Sequence, residues 1–252
     1  MPRGKIIIRK KRSYRRKPVR FVKKRAPAMS RIRTLRSKTP IGADRYMTKI
    51  VYDNQTRVNL STPASNQFTN YDWNWNCLHN VDPAVPGTQE NFPGLTAIAQ
   101  QYGSYRVLGC KYRVNFQYAS TSLAGAQNAP LVVGVQFQSA QGTPPTTYQQ
   151  CRAMIGQPYT KFKTVSTYSP QSATLTGYLS AKKLFGSRMA DYSDQLQSAF
   201  GSNPSLKLVL NTFAFDQSGF YAAAPVGATL AVGIMVRLTL YVEAYDRLTQ
   251  FS

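Results

Sequence analysis

Arg9, Lys10, Lys11, Arg12, Arg15, Arg16, Lys17, Arg20, Lys23, Lys24, Arg25, Arg31, Arg33, Arg36 and Lys38 are the residues of this chain whose type and spacing do recognisable chemistry. With Arg3 and Lys5 they place seventeen cations in residues 1–38, and the first carboxylate is Asp44. Such a run neutralises phosphates: each contact releases condensed counterions, so affinity falls as salt rises. Tyr14 and Phe21 stand inside the densest block and offer rings on which unpaired bases can stack. A short basic cluster would read as a solvated tail or a nuclear import address. This run is far longer than import requires, which favours nucleic-acid binding, and one arm can serve both purposes.

Other chemistry is sought without success. His79 is the sole histidine, so a His-rich zinc site, a cupin-type metal site or a two-His nuclease centre cannot be assembled. The ten Asp and Glu are scattered, and Asp191 with Asp194 reads as helix capping in a polar loop rather than as a metal-binding pair. No nucleophile elbow and no GxxxxGK[ST] phosphate loop occurs. The expectation is a protein that is not an enzyme, with no catalytic residue, metal or cofactor. Cys77, Cys110 and Cys151 are odd in number and widely spaced, which points to a reduced intracellular history rather than a disulfide framework. No apolar segment has signal-peptide or bilayer-spanning length, so neither classical export nor membrane insertion is expected. Trp73 and Trp75, at period two, could form a ligand platform, although core or subunit-interface packing is the commoner use of such a pair. Arg45, Lys49 and Arg57, near the arm's exit, either extend its phosphate-binding surface or are isolated surface charges.

These residues need elements to carry them. Seventeen like charges without an acidic partner repel, and Ile6, Ile7, Ile8, Val19, Phe21 and Val22 show no sustained period, so the arm is expected to be disordered by itself. The rest is a different material, with fifteen Lys and Arg against ten Asp and Glu and a bias towards Tyr, Phe, Val, Thr, Gln, Asn and Ser that suits strands and polar loops. Alternation predicts eight strands, at 46–60, 68–78, 105–118, 130–138, 159–168, 174–180, 206–215 and 229–245. In 105–118, Leu108, Cys110, Tyr112, Val114 and Phe116 share one face, and Lys111, Arg113, Asn115 and Gln117 share the other. A helical turn or two is expected within 95–102, a short helix within 146–154, and a loop with some helical character at 182–203. No internal repeat argues for a propeller or solenoid. The resulting expectation is an all-β protein: a disordered nucleic-acid-binding arm at 1–44, then a single eight-stranded antiparallel jelly-roll sandwich at 45–252.

At this point the residues meet a family. Tyr102-Gly103-Ser104-Tyr105-Arg106-Val107, followed by Lys111-Tyr112-Arg113-Val114-Asn115-Phe116, resembles the strand of circovirus-type coat proteins in which a Tyr-rich lead passes into alternating basic and apolar residues. Met235-Val236-Arg237-Leu238-Thr239-Leu240-Tyr241-Val242-Glu243-Ala244-Tyr245 resembles their last strand, and the Arg-rich start resembles their packaging arm. The resemblance implies a capsid protein of a circovirus-like circular single-stranded DNA virus that assembles with itself into a T=1 icosahedral shell of sixty copies. It implies residence in the virion and in the host nucleus during assembly, with single-stranded viral DNA, a host import receptor and a cell-surface attachment factor as partners. Loops at 61–66, 119–129, 169–171 and 217–227 would surround the five-fold axis. Those at 81–94, 139–158 and 182–203 would make the remaining contacts and much of the outer surface. Sixty such arms carry about 1,020 positive charges, consistent with a genome of order one to two kilobases. Other readings stay open: a coat protein of a small RNA virus or satellite, or a cellular nucleic-acid-binding protein of ribosomal or chromatin type. A carbohydrate-binding jelly roll is disfavoured, because lectins need no such arm.

Overall fold

Period-two alternation becomes extended chain nearly everywhere it is legible. The computed structural model of the protein describes residues 44–60, 68–84, 92–120, 130–139, 145–166, 170–186, 193–216 and 230–248. Its strands are β1 (Arg45–Asn59), β2 (Phe68–Asn74), β3 (Tyr102–Ser120), β4 (Leu131–Ser139), β5 (Thr160–Val165), β6 (Ser172–Ser180), β7 (Gln197–Ala199), β8 (Leu208–Asp216) and β9 (Leu230–Arg247). Short helices α1 (Leu95–Ala99), α2 (Tyr148–Ala153) and α3 (Ala181–Phe185) fall where helical turns are expected. Thr147 caps α2 by accepting a hydrogen bond from the Gln150 amide, and Ser180 does the same for α3 from Lys183.

Two antiparallel sheets form, with strand orders β1-β9-β3-β6 and β2-β8-β4-β5, and this two-sheet arrangement is the jelly roll. Among the described residues nine strands stand where eight are expected. The ninth, β7, is three residues long, too short to show a period, and pairs with Ser104, Tyr105 and Arg106 of β3 beyond the point where β6 ends. The expected five-fold loops fall almost wholly outside the described residues. Their flanking strand ends nevertheless share one end of each sheet: Asn59 opposite Ala231 and Ser120 opposite Leu230 in the first, Phe68 opposite Phe215 and Leu131 opposite Asp216 in the second.

Between the sheets, Ile50 and Tyr52 of β1, Val236, Leu238, Leu240 and Val242 of β9, and Cys110, Tyr112, Val114 and Phe116 of β3 face Leu131, Val133, Val135, Leu208 and Leu210. One assignment is corrected. Leu108 does not continue the buried face of β3; Tyr105 and Val107 do, because the register shifts between Val107 and Gly109. A bulge adds one residue to one strand, so alternation read straight through it inverts.

Strand β2 stops at Asn74, four residues short of the expected end. Beyond it the backbone turns, and a side chain takes over the pairing: Asn76 Nδ2 donates to the Leu206 carbonyl at 2.8 Å, and the Leu208 amide donates to Asn76 Oδ1 at 2.7 Å. Asn76 is buried, so Asn76→Leu would orphan two backbone groups in the interior. It is expected to lower stability by about 2–4 kcal/mol, read as a lower urea midpoint with an unchanged slope.

The alternation in 206–215 suggests one wet face, yet every residue of β8 is buried. On its outer side Tyr148, Cys151 and Met154 pack on Val132, Phe213 and Phe215, and Tyr148 donates to the Asp216 carbonyl at 2.9 Å. Part of the 139–158 segment, expected to supply outer surface, is thus a lid on the second sheet. Gly134 belongs to this layer because the Phe213 ring lies directly over it, where any β-carbon would collide. The 81–94 segment is likewise tied inward at its ends, with Val81, Asp82 and Phe92 buried. Asp82 accepts from Tyr71 Oη at 2.6 Å, Asn54 Nδ2 at 3.2 Å and its own neighbour's amide at Ala84, joining β1 to β2. Burial and this carboxylate push the Tyr71 hydroxyl far above the usual tyrosine range.

The open side of the sandwich is closed by charge. Lys161 and Lys163 of β5 pair with Val135 and Val133 and so point inward, and they donate to the Thr176 and Thr174 carbonyls on the edge of β6, at 2.7 and 3.1 Å. Inward-pointing lysines on an edge strand also discourage a further strand from adding there.

All three cysteines are free and buried. Burial pushes the Cys77 and Cys151 thiols up to about 12, and Cys110 is raised by the same cause. They therefore remain protonated and shielded at pH 8. Ellman's reagent is expected to react slowly with the folded protein and to titrate three thiols per chain once it is unfolded.

Candidate nucleic-acid interface

All fifteen expected phosphate-binding cations lie outside the described residues, as does the whole expected arm up to residue 43. The chain enters the first sheet at Asp44 and Arg45, where β1 begins at the sheet's edge. From there the register distributes charge over one surface.

In β1 the exposed positions are the odd-numbered ones, including Arg45, Lys49, Asp53 and Arg57. They stand opposite Tyr245, Tyr241, Arg237 and Gly233 of β9. In β3 the same outer face carries Arg106, Lys111 and Arg113, opposite Glu243, Thr239 and Arg237, and β6 adds Tyr178 opposite Lys111. Among the described residues, seven cations and two carboxylates share this face, while seven cations meet six carboxylates elsewhere, so most of the described positive surplus sits here.

The two acids are committed. Arg106 Nε donates to Glu243 Oε2 at 2.6 Å and Arg45 Nη1 lies 3.5 Å from Glu243 Oε1; the carboxylate, placed by alternation on an outer face, is almost wholly covered. Asp53 is held in two hydrogen bonds from Arg237, one from Nε at 2.8 Å. Of the cations flagged near the arm's exit, Arg45 is thus paired, Lys49 lies over the Tyr241 ring at 5.4 Å, and Arg57 is exposed. Lys111 and Arg113 are exposed, and among the described residues no acid pairs with either.

Arg113 and Arg237 face each other directly across the ladder, an arrangement that costs stability when nothing sits between like charges. With Asp53, Asn115 and Met235 they line a shallow groove. Beside it Tyr178 packs edge-on against Tyr241, with centroids 5.7 Å apart, and its hydroxyl reaches over Gly109, where a β-carbon would lie 2.6 Å from it. Tyr178 is 53% exposed.

The other flagged residues fall elsewhere. Trp73 and Trp75 are fully buried and form no platform. Tyr71 lies 4.8 Å from Trp73 and Tyr52 lies 6.0 Å from it, ring to ring. His79 is half-buried in the turn after β2. Asp194 begins a 3-10 turn and accepts from Gln197 Nε2 at 2.6 Å, while Asp191 lies outside the described residues. Among the described residues no three His, Cys, Asp or Glu are grouped to hold a metal ion, and no helix is long and apolar enough to cross a membrane. Sequence reasoning missed the joint face of β3 and β9. Its signal was present, as Lys111 and Arg113 at period two in β3 and Arg237 on the outward face of β9, but their adjacency was not.

Neither a protein-family model nor a curated protein sequence matches the chain. Solved structures to which it is similar include that of Desmodium yellow mottle tymovirus, at 9% identity over 85% of this chain and 95% of that one, with a TM-score of 0.36. The decameric BFDV capsid protein is similar at 14% identity over 80% of this chain and 99% of that one, TM-score 0.41. Mud crab tombus-like virus follows at 13% identity over 81% and 90%, TM-score 0.43.

Proposed function

We propose that this chain is a viral capsid protein whose jelly-roll body, residues 45–252, assembles with itself into a small T=1 icosahedral shell. Its basic arm, residues 1–44, packages a single-stranded DNA genome through the cations from Arg9 to Lys38 and doubles as a nuclear import signal. The observation that carries this reading is the seventeen cations without an acid in residues 1–38, set before an antiparallel two-sheet jelly roll. The arm supplies sequence-independent condensation of a single strand, because phosphate contacts position a nucleic acid without reading it. The body supplies the two-sheet scaffold from which a shell would be built. An import receptor and a cell-surface attachment factor complete the expected partners, and the virion and host nucleus the expected locations.

The test is negative-stain electron microscopy of the protein expressed alone, with absorbance at 260 and 280 nm on the same fraction. Uniform spheres on the order of 20 nm across, carrying nucleic acid that copurifies, are the expected result. Discrete particles that bind nucleic acid but never close would overturn the capsid reading in favour of a cellular binding protein. Digestion of the protected strand with DNase and RNase decides between a DNA genome and the coat of an RNA virus.

A further inference from the structure

The fixed basic face of the first sheet has a use beyond the arm. We propose that it is a second nucleic-acid contact surface, in which Lys111, Arg113 and Arg237 hold consecutive phosphates of a single strand and Tyr178 stacks an unpaired base. This rests on the packaging reading for the identity of the ligand, but it assigns a site in the folded body rather than in the arm.

Four observations converge. Lys111 and Arg113 are exposed and, among the described residues, no acid pairs with either, so their charge is available to a ligand. They stand two positions apart on one strand, about 7 Å, a step comparable to that between phosphates in an extended single strand. Arg113 faces Arg237 across the ladder, and an anion seated between two guanidiniums removes their repulsion while accepting hydrogen bonds from both. Asp53 occupies only one side of Arg237, leaving the pair with a net positive charge. Finally, Tyr178 is exposed beside Lys111, leans across β3 into the space left by Gly109 and is braced edge-on by Tyr241, a ring of the kind on which bases stack without regard to sequence. Charge complementarity selects a polyanion over an apolar partner, and the ring selects one with unpaired bases over a duplex.

The test uses the full chain stripped of nucleic acid in high salt and a fluorescein-labelled oligothymidylate, with affinity measured by anisotropy across a salt series. The double variant K111Q/R113Q is expected to reduce the log–log salt slope by about 1.4, at about 0.7 per lost phosphate contact. Photocrosslinking of the unaltered chain to a 5-iododeoxyuridine strand is expected to mark the peptide containing Tyr178, a readout that needs no variant to fold. An arm variant, R15Q/R16Q/K17Q, separates the two sites. If it lowers the slope while K111Q/R113Q does not, and crosslinks map only to residues 1–43, this inference is overturned and arm packaging stands. If K111Q/R113Q lowers the slope while the arm variant does not, the face is upheld and the arm's role falls. An unaltered chain that fails to bind the strand overturns both.

Discussion

Replacing the fifteen Lys and Arg between Arg9 and Lys38 with glutamine is expected to abolish copurifying nucleic acid while the thermal unfolding of the body stays where it was. Glutamine keeps length and polarity and removes only charge, so the loss isolates electrostatics. Each cation that contacts a phosphate contributes about 0.7 to the salt slope on a single strand, and a run of this size therefore accounts for many orders of magnitude in affinity. The body is not expected to notice, because its described core and ladders are built within residues 45–247. The absorbance ratio at 260 and 280 nm, with calorimetry on the same sample, reads both halves of the expectation. Retention of nucleic acid by the neutralised arm would sink the packaging role. A large drop in unfolding temperature would show instead that the arm is part of the fold.

Trp73→Ala is expected to cost about 3–5 kcal/mol, the range for deleting a large aromatic from a packed core. Trp73 is fully buried in β2, with the tilted rings of Tyr52 and Tyr71 against it and Phe92 next to Tyr52 in turn. The surrounding rings are fixed by both sheets and cannot collapse into the space. Against a total stability of about 5–15 kcal/mol, such a loss leaves a chain that expresses poorly and melts early. Guanidinium unfolding followed by the remaining tryptophan gives the number. A variant as stable as its parent would return Trp73 to the role of an exposed platform, with the core built differently. Trp73→Phe, which keeps a ring, is expected to recover much of the loss.

Much of this protein was legible before its fold. The charge of residues 1–38 is legible because charge density is a property of composition, and no tertiary contact is needed to count seventeen cations without an acid. Strand positions are legible because the pleat has period two, so Ile50 with Tyr52, and Cys110 with Tyr112, Val114 and Phe116, announce a buried face directly.

Where that period was interrupted or overlaid, the tertiary structure decided. The bulge after Val107 exchanged Leu108 for Tyr105 and Val107 in the core, since one inserted residue inverts every face beyond it. The lid of Tyr148, Cys151 and Met154 buried a face of β8 whose polar members had promised solvent, because whether a second layer covers a sheet depends on a segment far away in the chain. Glu243 became a closed ion pair only when Arg45 and Arg106 were brought to it from two other strands. The basic groove on the first sheet arose the same way. Alternation announces that Arg113 and Arg237 each face outward, but only pairing of β3 with β9, in one register and not its neighbour, sets them opposite each other. Local periodicity determines which way a side chain points; which other side chain it meets is set by strand order, and strand order is a property of the whole chain.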